Sequence, residues 1–516
     1  MKRSPLVSQR SLARMLQAAA ECWQNQDYAK YIDILQRANR LAPSNPGVLL
    51  DLGRGHGMRY DYAAAERYFE QAIAVARQKG EAMAMAAVHC REWGRHALSA
   101  SFLERATKQA DATGDTFVKL AEIYERLRRL DDASNAVERA LHLDRNNALA
   151  LLVQARLARL AGRLSDAETI VRSFLGRNDA ATWSTRIRGW YELGAILDRQ
   201  GRYDEAMAAF LEAKAMIQPH AGPYLASQGI VQSRLKEVEV GLSAEMLQRW
   251  FDAGRALQPP HRLALLCGHP RSGTTLLEQV LDAHPDAISA EETVIFNHEA
   301  YLPLRRGHPR QAPMVSVLES ASAPALQKAR QVYFRCMESF LGQSIGGRIL
   351  IDKNPSLTSL IAPFARIFPE AKFLVALRDP RDVCLSCFMQ PLPLNDVSAM
   401  FLSLDRTVSE YASVMGLWKA MAPQMPNACL QVRYEDVVDD LESVARRVLE
   451  FLGLPWDASV LHFDEHARNK LVRSPTYADV AKPISKAAVG RWKNYQKYLE
   501  PHLEKLEPFV KAYGYE

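Results

Sequence analysis

The sequence lacks a long hydrophobic run, and none of its apolar stretches approaches the ~20 residues that a transmembrane helix needs. A signal-peptide pattern is also missing, because Arg14 interrupts the candidate apolar region that follows Lys2 and Arg3. Cysteine is sparse: seven residues, an odd number, are scattered over 516 positions, which excludes a disulfide framework. We therefore expect a chain without a transmembrane segment in a reducing, cytoplasmic compartment.

A large excess of charge of one sign is absent too, since 65 Lys and Arg residues are balanced by 59 Asp and Glu residues. This balance predicts no nucleic-acid partner, because binding to a polyanion needs a strongly basic surface. Glycine and proline, with 26 residues each, are too few for a fibrous or linker protein. The chain, 48% hydrophobic, is long enough for about three to four globular domains.

Small side chains recur in the first half of the chain, in pairs that lie seven positions apart. The pairs are Ala65 and Ala72, Ser99 and Ala106, Ala133 and Ala140, Ala167 and Phe174, and Ala206 and Ala213. Their first members are spaced by 34, 34, 34 and 39 residues, and Phe174 is the one large side chain among them. Small residues at this period indicate helical hairpins stacked at close crossings, whereas an alanine-rich bundle would not keep the register.

This pattern resembles the tetratricopeptide repeat (TPR), with the best copies in LLDLGRGHGMRYDYAAAERYFEQA and WYELGAILDRQGRYDEAMAAFLEA. The resemblance implies an α-helical solenoid of about six repeats over residues 12–218, with Phe69 and Phe210 between the repeats. Such solenoids present a concave face, where we expect a protein or peptide partner to bind. Residues 219–260 contain PHAGP and end in QPP, which indicates a linker or junction helix.

The second predicted domain, residues 261–516, begins with a short apolar strand and the segment GHPRSGTT at 268–275. A strand, a glycine loop and a helix form a cradle for phosphate, because backbone N–H groups converge at the positive helix N-terminus. Thr274 stands where a nucleoside triphosphatase places its phosphate-binding lysine, which argues against a kinase-like phosphoryl transferase. Arg271 offers a forked cation inside the loop instead.

Polar residues follow four further strand candidates at their carboxyl ends. The candidates are 287–289 before Glu291 and Glu292, 348–352 before Lys353, 372–377 before Arg378 and Arg381, and 429–433 before Tyr434 and Glu435. A single charged residue after a strand is usually a solvated loop residue. Ligands of a doubly wound parallel sheet bind at the carboxyl ends of its strands, so the whole series predicts a shared site.

Two of these segments resemble sulfotransferase motifs. PRSGTTLLEQVLDAHPDAISAEET is similar to the 5′-phosphosulfate loop of tyrosylprotein sulfotransferases, and ALRDPRDVCLSCF is similar to the 3′-phosphate motif of that family. The resemblance covers residues 261–495 and implies an α/β P-loop-like fold with a parallel sheet flanked by helices. It also implies metal-free, in-line transfer of a sulfuryl group from 3′-phosphoadenosine 5′-phosphosulfate (PAPS) to an acceptor hydroxyl.

The resemblance implies roles for individual residues as well. Glu292 falls on the catalytic base, and Lys353 and Ser474 fall on the groups that stabilise the transition state. The implied cofactor-binding residues are Arg271, Ser272, Gly273, Thr274, Thr275, Arg378, Ser386 and Tyr434. SKAAVGRWKNY is similar to the RKGxxGxWKN segment of the wider superfamily and adds Ser485, Lys486 and Arg491.

Two positions depart from the family pattern. TVIFNH follows Glu292 where the tyrosylprotein enzymes carry basic residues that suit acidic peptides, and Gln390 replaces another arginine of the 3′-phosphate motif. The acceptor is therefore open between a protein tyrosine and a carbohydrate, lipid or small-molecule hydroxyl, with the repeats serving assembly in the second case. An inactive repeat scaffold is a further alternative.

Histidine and cysteine residues near these motifs have structural interpretations. His269, His284 and His298 are alternatives to Glu292 as the base, but a structural role is favoured for each of them. Cys384 and Cys387 form a lone CxxC, which indicates two residues on one helical turn rather than a zinc or redox site. No metal ion is expected, and an oligomer is compatible with the sequence.

Overall fold

The computed structural model describes residues 5–177, 182–258, 261–309, 311–469 and 484–516. The chain divides into two compact units, Met1–Ala181 and Thr182–Glu516. The division falls inside the predicted repeat array, so the last predicted repeat lies in the same unit as the predicted sheet. The predicted domain boundaries after residues 218 and 260 stay predictions from the sequence.

The first unit is helical. Its helices are α1 (Pro5–Gln24), α2 (Tyr28–Leu41), α3 (Pro46–Met58), α4 (Tyr62–Val75), α5 (Lys79–Glu92), α6 (His96–Ala106), α7 (Gly114–Arg126), α8 (Leu130–Leu143), α9 (Ala148–Leu160) and α10 (Leu164–Leu175). Consecutive helices pack in pairs, from α1 with α2 to α9 with α10. Short polar residues cap several starts: the side chains of Asp27, Asn45 and Asp61 accept backbone N–H bonds from the first turns of α2, α3 and α4. The α-helical repeat array is confirmed.

Close packing inside this unit explains its small residues. A Cβ on Gly53 of α3 would lie 2.4 Å from the Phe69 ring of α4, so the two helices approach closely only because position 53 is glycine. Phe69 is fully buried, and its ring centroid lies 5.8 Å from that of Trp93 and 6.1 Å from that of Phe102. Phe102 belongs to the next helix pair, so Phe69 fills the space between repeats as predicted.

The second unit contains a parallel sheet. Its strands are β1 (Arg262–Gly268), β2 (Ala287–Glu291), β3 (Ile349–Lys353), β4 (Lys372–Leu377) and β5 (Cys429–Arg433), in the order β2-β3-β1-β4-β5 with every neighbour parallel. The strands are short apolar runs, and β2 and β3 are buried along their whole length, as expected for a sheet with helices on both faces. All five predicted strand segments are confirmed, and their carboxyl ends lie at one edge of the sheet.

The described part of the same unit also contains helices. They are α11 (Trp183–Arg199), α12 (Tyr203–Ile217), α13 (Gly222–Gly241), α14 (Ala244–Gly254), α15 (Thr274–Asp282), α16 (Leu302–Leu304), α17 (Met314–Glu319), α18 (Ala323–Leu341), α19 (Ile361–Ile367), α20 (Pro380–Phe388), α21 (Leu404–Met421), α22 (Tyr434–Asp439), α23 (Leu441–Leu452), α24 (Phe463–Asn469), α25 (Gln496–Leu499) and α26 (Leu503–Ala512). The predicted junction is helical over α13 and α14, which pack on α21 and α19. No helix within the described ranges is long and apolar enough to cross a membrane.

The helix pair α11/α12 is joined to the C-terminal segment of the same unit by two aspartates. Asp198 of α11 pairs with Arg491 at 2.6 Å and accepts a hydrogen bond from the hydroxyl of Tyr495 at 2.7 Å. Asp204 of α12 pairs with Lys497 at 2.8 Å. The last predicted repeat is therefore bonded to the segment that carries part of the predicted cofactor site.

Candidate active site

The loop between β1 and α15 depends on two glycines with positive φ. Gly268 has a φ of 135° and Gly273 a φ of 91°. A Cβ on Gly268 would lie 2.3 Å from the carbonyl oxygen of Ala376 on β4, and one on Gly273 would lie 2.6 Å from the ring of Tyr434. Both positions need glycine for conformation and for space. The loop backbone thus lies directly against β4 and Tyr434, with the N-terminus of α15 following it.

Arg271 connects this loop to α20. It has a φ of 73°, a conformation that costs a non-glycine residue about 1–3 kcal/mol. Its Nε donates to Ser386 Oγ at 3.0 Å, and its carbonyl oxygen accepts a hydrogen bond from Arg378 Nη1 at 3.2 Å. The guanidinium carbon of Arg378 lies 5.1 Å from the ring centroid of Tyr434. The structure therefore brings together four of the predicted cofactor-binding residues from separate segments of the chain.

Other predicted residues of the loop line the start of α15. Ser272, Thr274 and Thr275 are all buried. The hydroxyl of Thr275 accepts a hydrogen bond from Lys353 Nζ at 3.3 Å, which links the loop to the carboxyl end of β3.

Lys353 is the centre of a carboxylate cluster. Its Nζ donates to Glu292 Oε1 at 2.9 Å and to Glu291 Oε1 at 3.1 Å, and it lies 3.8 Å from Glu278 Oε2. The backbone N–H of Glu292 donates to the carbonyl of Lys353 at 2.7 Å, and Glu292 has a φ of 49°. Glu292 and Lys353, predicted as base and transition-state group, are therefore in direct contact.

Electrostatics keep this lysine charged. Burial alone would lower the pKa of Lys353, but the carboxylates of Glu292, Glu291 and Glu278 outweigh it and hold the pKa above its ordinary value. The side chain of Glu292 is 39% exposed, whereas those of Glu291 and Glu278 are 4% and 0% exposed. Of the three carboxylates, Glu292 is the one that a reacting group can reach from solvent, so it is suited to accept a proton.

The residues Glu278 and Glu291 were not assigned a role from the sequence. Glu278 lies one helical turn after Thr274, which puts it on the same face of α15, and its Oε1 accepts a hydrogen bond from Ser289 Oγ at 2.5 Å. That helical spacing was the available signal for Glu278. For Glu291, the adjacency to Glu292 at the end of β2 was the signal, and the sequence alone could not say which of the two carboxylates is exposed.

The C-terminal segment contacts the predicted 3′-phosphate motif through its backbone. The N–H groups of Gly490 and Trp492 both donate to Asp382 at 2.7 Å, and Arg378 Nη2 donates to the carbonyl of Ala488 at 2.5 Å. Trp492 is buried, and the guanidinium carbon of Arg381 lies 4.2 Å from its ring centroid. The segment therefore supports Arg378.

The side chains of this segment have other partners. Arg491 pairs with Asp198, Lys486 pairs with Asp439, and Ser485 Oγ accepts the N–H of Ala487. The structure does not bring Ser485, Lys486 and Arg491 into the cluster of Arg271 and Ser386, and their role as cofactor ligands stays a prediction. Ser474 lies outside the described residues.

Two of the three histidines near the motifs contact backbone carbonyl oxygens. His269 is buried, its Nδ1 lies 3.0 Å from the carbonyl oxygen of Pro270, and burial lowers its pKa to about 4. His284 Nε2 lies 2.9 Å from the carbonyl oxygen of Pro455, and burial also lowers the pKa of His298. His269 is therefore neutral at pH 7 and turned toward backbone.

Comparisons with known proteins find similarity in both halves of the chain. Residues 264–458 match the Sulfotransferase family, and residues 47–79, 118–181 and 187–218 match tetratricopeptide repeats. An uncharacterized protein of Aquifex aeolicus (strain VF5) is 25% identical over 354 residues, which are 67% of this chain and 44% of that protein. Protein-tyrosine sulfotransferase 1 of Danio rerio is 28% identical over 246 residues, which are 45% of this chain and 65% of that protein.

Among solved structures, the sulfotransferase domain of the Synechococcus PCC 7002 olefin synthase is 25% identical. The match has a TM-score of 0.32 and covers 46% of this chain and 90% of that domain. The chain spans between 44% and 65% of the length of the two relatives named above. The chain combines tetratricopeptide repeats with a sulfotransferase domain in its C-terminal half.

Proposed function

We propose that the chain is a PAPS-dependent sulfotransferase that transfers a sulfuryl group to an acceptor hydroxyl. The observation that carries the proposal is the contact of Lys353 with both Glu292 and Thr275. This contact puts a proton acceptor and a cation beside the helix that follows a glycine loop. Those are the groups that transfer of a charged group to a hydroxyl needs.

The residues around the loop fit a nucleotide that carries phosphate groups at both the 5′ and the 3′ position of its ribose. The two glycines let the loop backbone lie against β4 and Tyr434, and the N–H groups at the start of α15 suit a 5′-phosphosulfate. Arg378 and Ser386, which meet Arg271 next to the loop, suit a 3′-phosphate. Tyr434 packs on the loop at Gly273 and would lie near the nucleotide.

The proposed reaction is an in-line displacement at sulfur. The acceptor oxygen forms a bond to sulfur while the bond from sulfur to the 5′-phosphate oxygen breaks, and the electron pair of that bond leaves with adenosine 3′,5′-bisphosphate. Glu292 takes the hydroxyl proton. Lys353, held as an ammonium by its carboxylates, meets the charge that develops on the transferred group and on the departing phosphate. The proposal needs no metal ion, because arginine and lysine supply the positive charge.

The acceptor that we propose is a tyrosine hydroxyl of a protein. Support comes from relatives such as the protein-tyrosine sulfotransferase of Danio rerio. The segment TVIFNH after Glu292 lacks the basic residues that suit acidic peptides, so selectivity has to come from another surface. We propose that the repeat array supplies it by binding the acceptor protein and raising its local concentration.

Calorimetry in the presence of EDTA tests the donor assignment. We expect adenosine 3′,5′-bisphosphate to bind without added metal and more tightly than ATP. The Arg378→Ala variant should bind it about 10- to 100-fold more weakly, as expected for lost hydrogen bonds to a charged group. In parallel titrations with Mg²⁺ in place of EDTA, binding of ATP together with no affinity for the bisphosphate would contradict the proposal and favour a phosphoryl transferase.

A further inference from the structure

Lys214 is a buried lysine on α12 that the site described above does not use. It is 5% exposed, and its ammonium nitrogen lies 4.9 Å from the ring centroid of Phe388 and 5.4 Å from that of Tyr191. Within the described part of the chain, no hydrogen-bond acceptor and no carboxylate contacts this ammonium. The Phe388 and Tyr191 rings are the contacts of this ammonium, and its burial without a carboxylate favours an anionic ligand beside it.

The surroundings of Lys214 belong to the predicted 3′-phosphate motif. The positive charges of Lys214, Arg271 and Arg378 all act on the thiol of Cys387, the residue after Ser386. Arg271 also donates directly to the Ser386 hydroxyl. Arg271 therefore contacts Ser386 and Lys214 contacts Phe388, two residues further along α20.

A narrow cavity lies beside Lys214. Lys214 and Gln390 both line a narrow cavity of about 10 Å³, close to the space that one water molecule needs. Gln390 follows Ser386 by four residues, and it is the position where the sequence lacks an expected arginine. A cavity of this size cannot hold a nucleotide, but it shows that Lys214 and Gln390 lie on the same narrow space.

We propose that Lys214 binds the 3′-phosphate of the donor nucleotide together with Arg378 and Ser386, so that the last tetratricopeptide repeat completes the donor site. This inference rests on the proposed function. It makes the helix pair α11/α12 a part of the catalytic unit, which agrees with the division of the chain before residue 182. Lys214, on α12, supplies the positive charge that the missing arginine at position 390 would have supplied.

Binding of a phosphate beside Lys214 is coupled to the uptake of a proton. Burial lowers the pKa of Lys214 to about 7 in the free protein, and a phosphate dianion beside it would raise that pKa. Binding above pH 7 should therefore take up a proton. The titratable and charged groups around Lys214 and its neighbour Cys387 are Tyr191, His269, Arg271, Arg378 and Glu410. Burial keeps Cys387 protonated and His269 neutral at pH 8, so neither takes part.

The test compares two ligands that differ by the 3′-phosphate, adenosine 3′,5′-bisphosphate and adenosine 5′-monophosphate. In the full-length chain, Lys214→Met should weaken binding of the bisphosphate about 10- to 100-fold and leave binding of the monophosphate unchanged. Lys497→Met removes a lysine from the contact with α12 and should change neither affinity. Adding Gln390→Arg to Lys214→Met should restore the preference for the bisphosphate.

Each other outcome has one meaning. Equal losses for both ligands, or no loss for either, would overturn the role of Lys214 while the proposed function stands. A wild-type chain that binds no bisphosphate at all would refute the proposed function itself, and this inference with it. If Lys214→Met does not fold, the wild type still provides a test. Calorimetry at pH 8 in two buffers of different ionisation enthalpy measures how many protons the protein takes up when it binds the bisphosphate. Proton uptake on binding the bisphosphate supports the inference, and its absence contradicts it.

Discussion

Asp198 and Asp204 offer a matched pair of substitutions, because both join the last repeat to the C-terminal segment but differ in exposure. The side chain of Asp198 is 14% exposed and bonds to Arg491 and to the buried Tyr495. The side chain of Asp204 is 66% exposed and bonds to Lys497. We predict that Asp198→Asn destabilises the C-terminal segment strongly and that Asp204→Asn has little effect.

The magnitude follows from burial. Breaking a buried ion pair costs 3–5 kcal/mol, but Arg491 is about one-third exposed, so about 2 kcal/mol is expected for Asp198→Asn. The pair of Asp204 and Lys497 is exposed and therefore screened by solvent, so Asp204→Asn should have little effect on stability. A loss of about 2 kcal/mol corresponds to about 30-fold in an opening equilibrium.

Hydrogen exchange measures this opening directly. The amides of Gly490 and Trp492 donate to Asp382, and their exchange should accelerate about 30-fold in Asp198→Asn and less than about fivefold in Asp204→Asn. Because the same segment supports Arg378, the affinity for adenosine 3′,5′-bisphosphate should also fall in Asp198→Asn. Equal acceleration in both variants would refute the argument from burial, and unchanged exchange in Asp198→Asn would refute the coupling.

Three further outcomes are expected. Glu292→Gln keeps the shape of the side chain but cannot accept the proton, so turnover should fall by ~10²–10⁴-fold, while calorimetry should show unchanged bisphosphate affinity. Gly273→Ala puts a Cβ 2.6 Å from the Tyr434 ring and should weaken donor binding at least ~10-fold. Gly307 also has a positive φ but no neighbouring atoms within 4 Å, so Gly307→Ala should leave donor binding unchanged. Equal donor affinities in the two variants would contradict this prediction. A fragment of residues 182–516 should bind the bisphosphate with the affinity of the full chain. A fragment of residues 261–516, which lacks Asp198 and Asp204, should aggregate or bind weakly in the same calorimetric assay. Full affinity in the shorter fragment would contradict the role of the last repeat.

Local patterns predicted much of this structure. The 34-residue period predicted the helix pairs, because small residues such as Gly53 are where two helices cross closely. The five strands were readable as apolar runs that end in polar residues. Since a parallel sheet gathers the carboxyl ends of its strands, those runs also predicted that Glu292, Lys353 and Arg378 would lie at one edge.

Contacts between distant segments were not readable in the same way. No local pattern shows that Glu278 of α15 lies 3.8 Å from Lys353, or that Arg491 turns to Asp198 instead of the donor loop. These contacts depend on how helices pack on the sheet. The position of Lys214 is of the same kind, because no local pattern shows that its ammonium contacts the ring of Phe388 on α20.

Transfer of radiolabelled sulfuryl from PAPS tests the central claim most directly. The full-length chain, in EDTA, is incubated with a panel of tyrosine peptides, proteins and small hydroxyl compounds, and the label and the released adenosine 3′,5′-bisphosphate are both counted. We predict that label appears on an acceptor oxygen in equal amount to the released bisphosphate, and that Glu292→Gln lowers the rate at least ~100-fold while His269→Ala does not. An active Glu292→Gln beside an inactive His269→Ala, or the absence of any transfer from PAPS by a chain that binds the bisphosphate, would contradict the account.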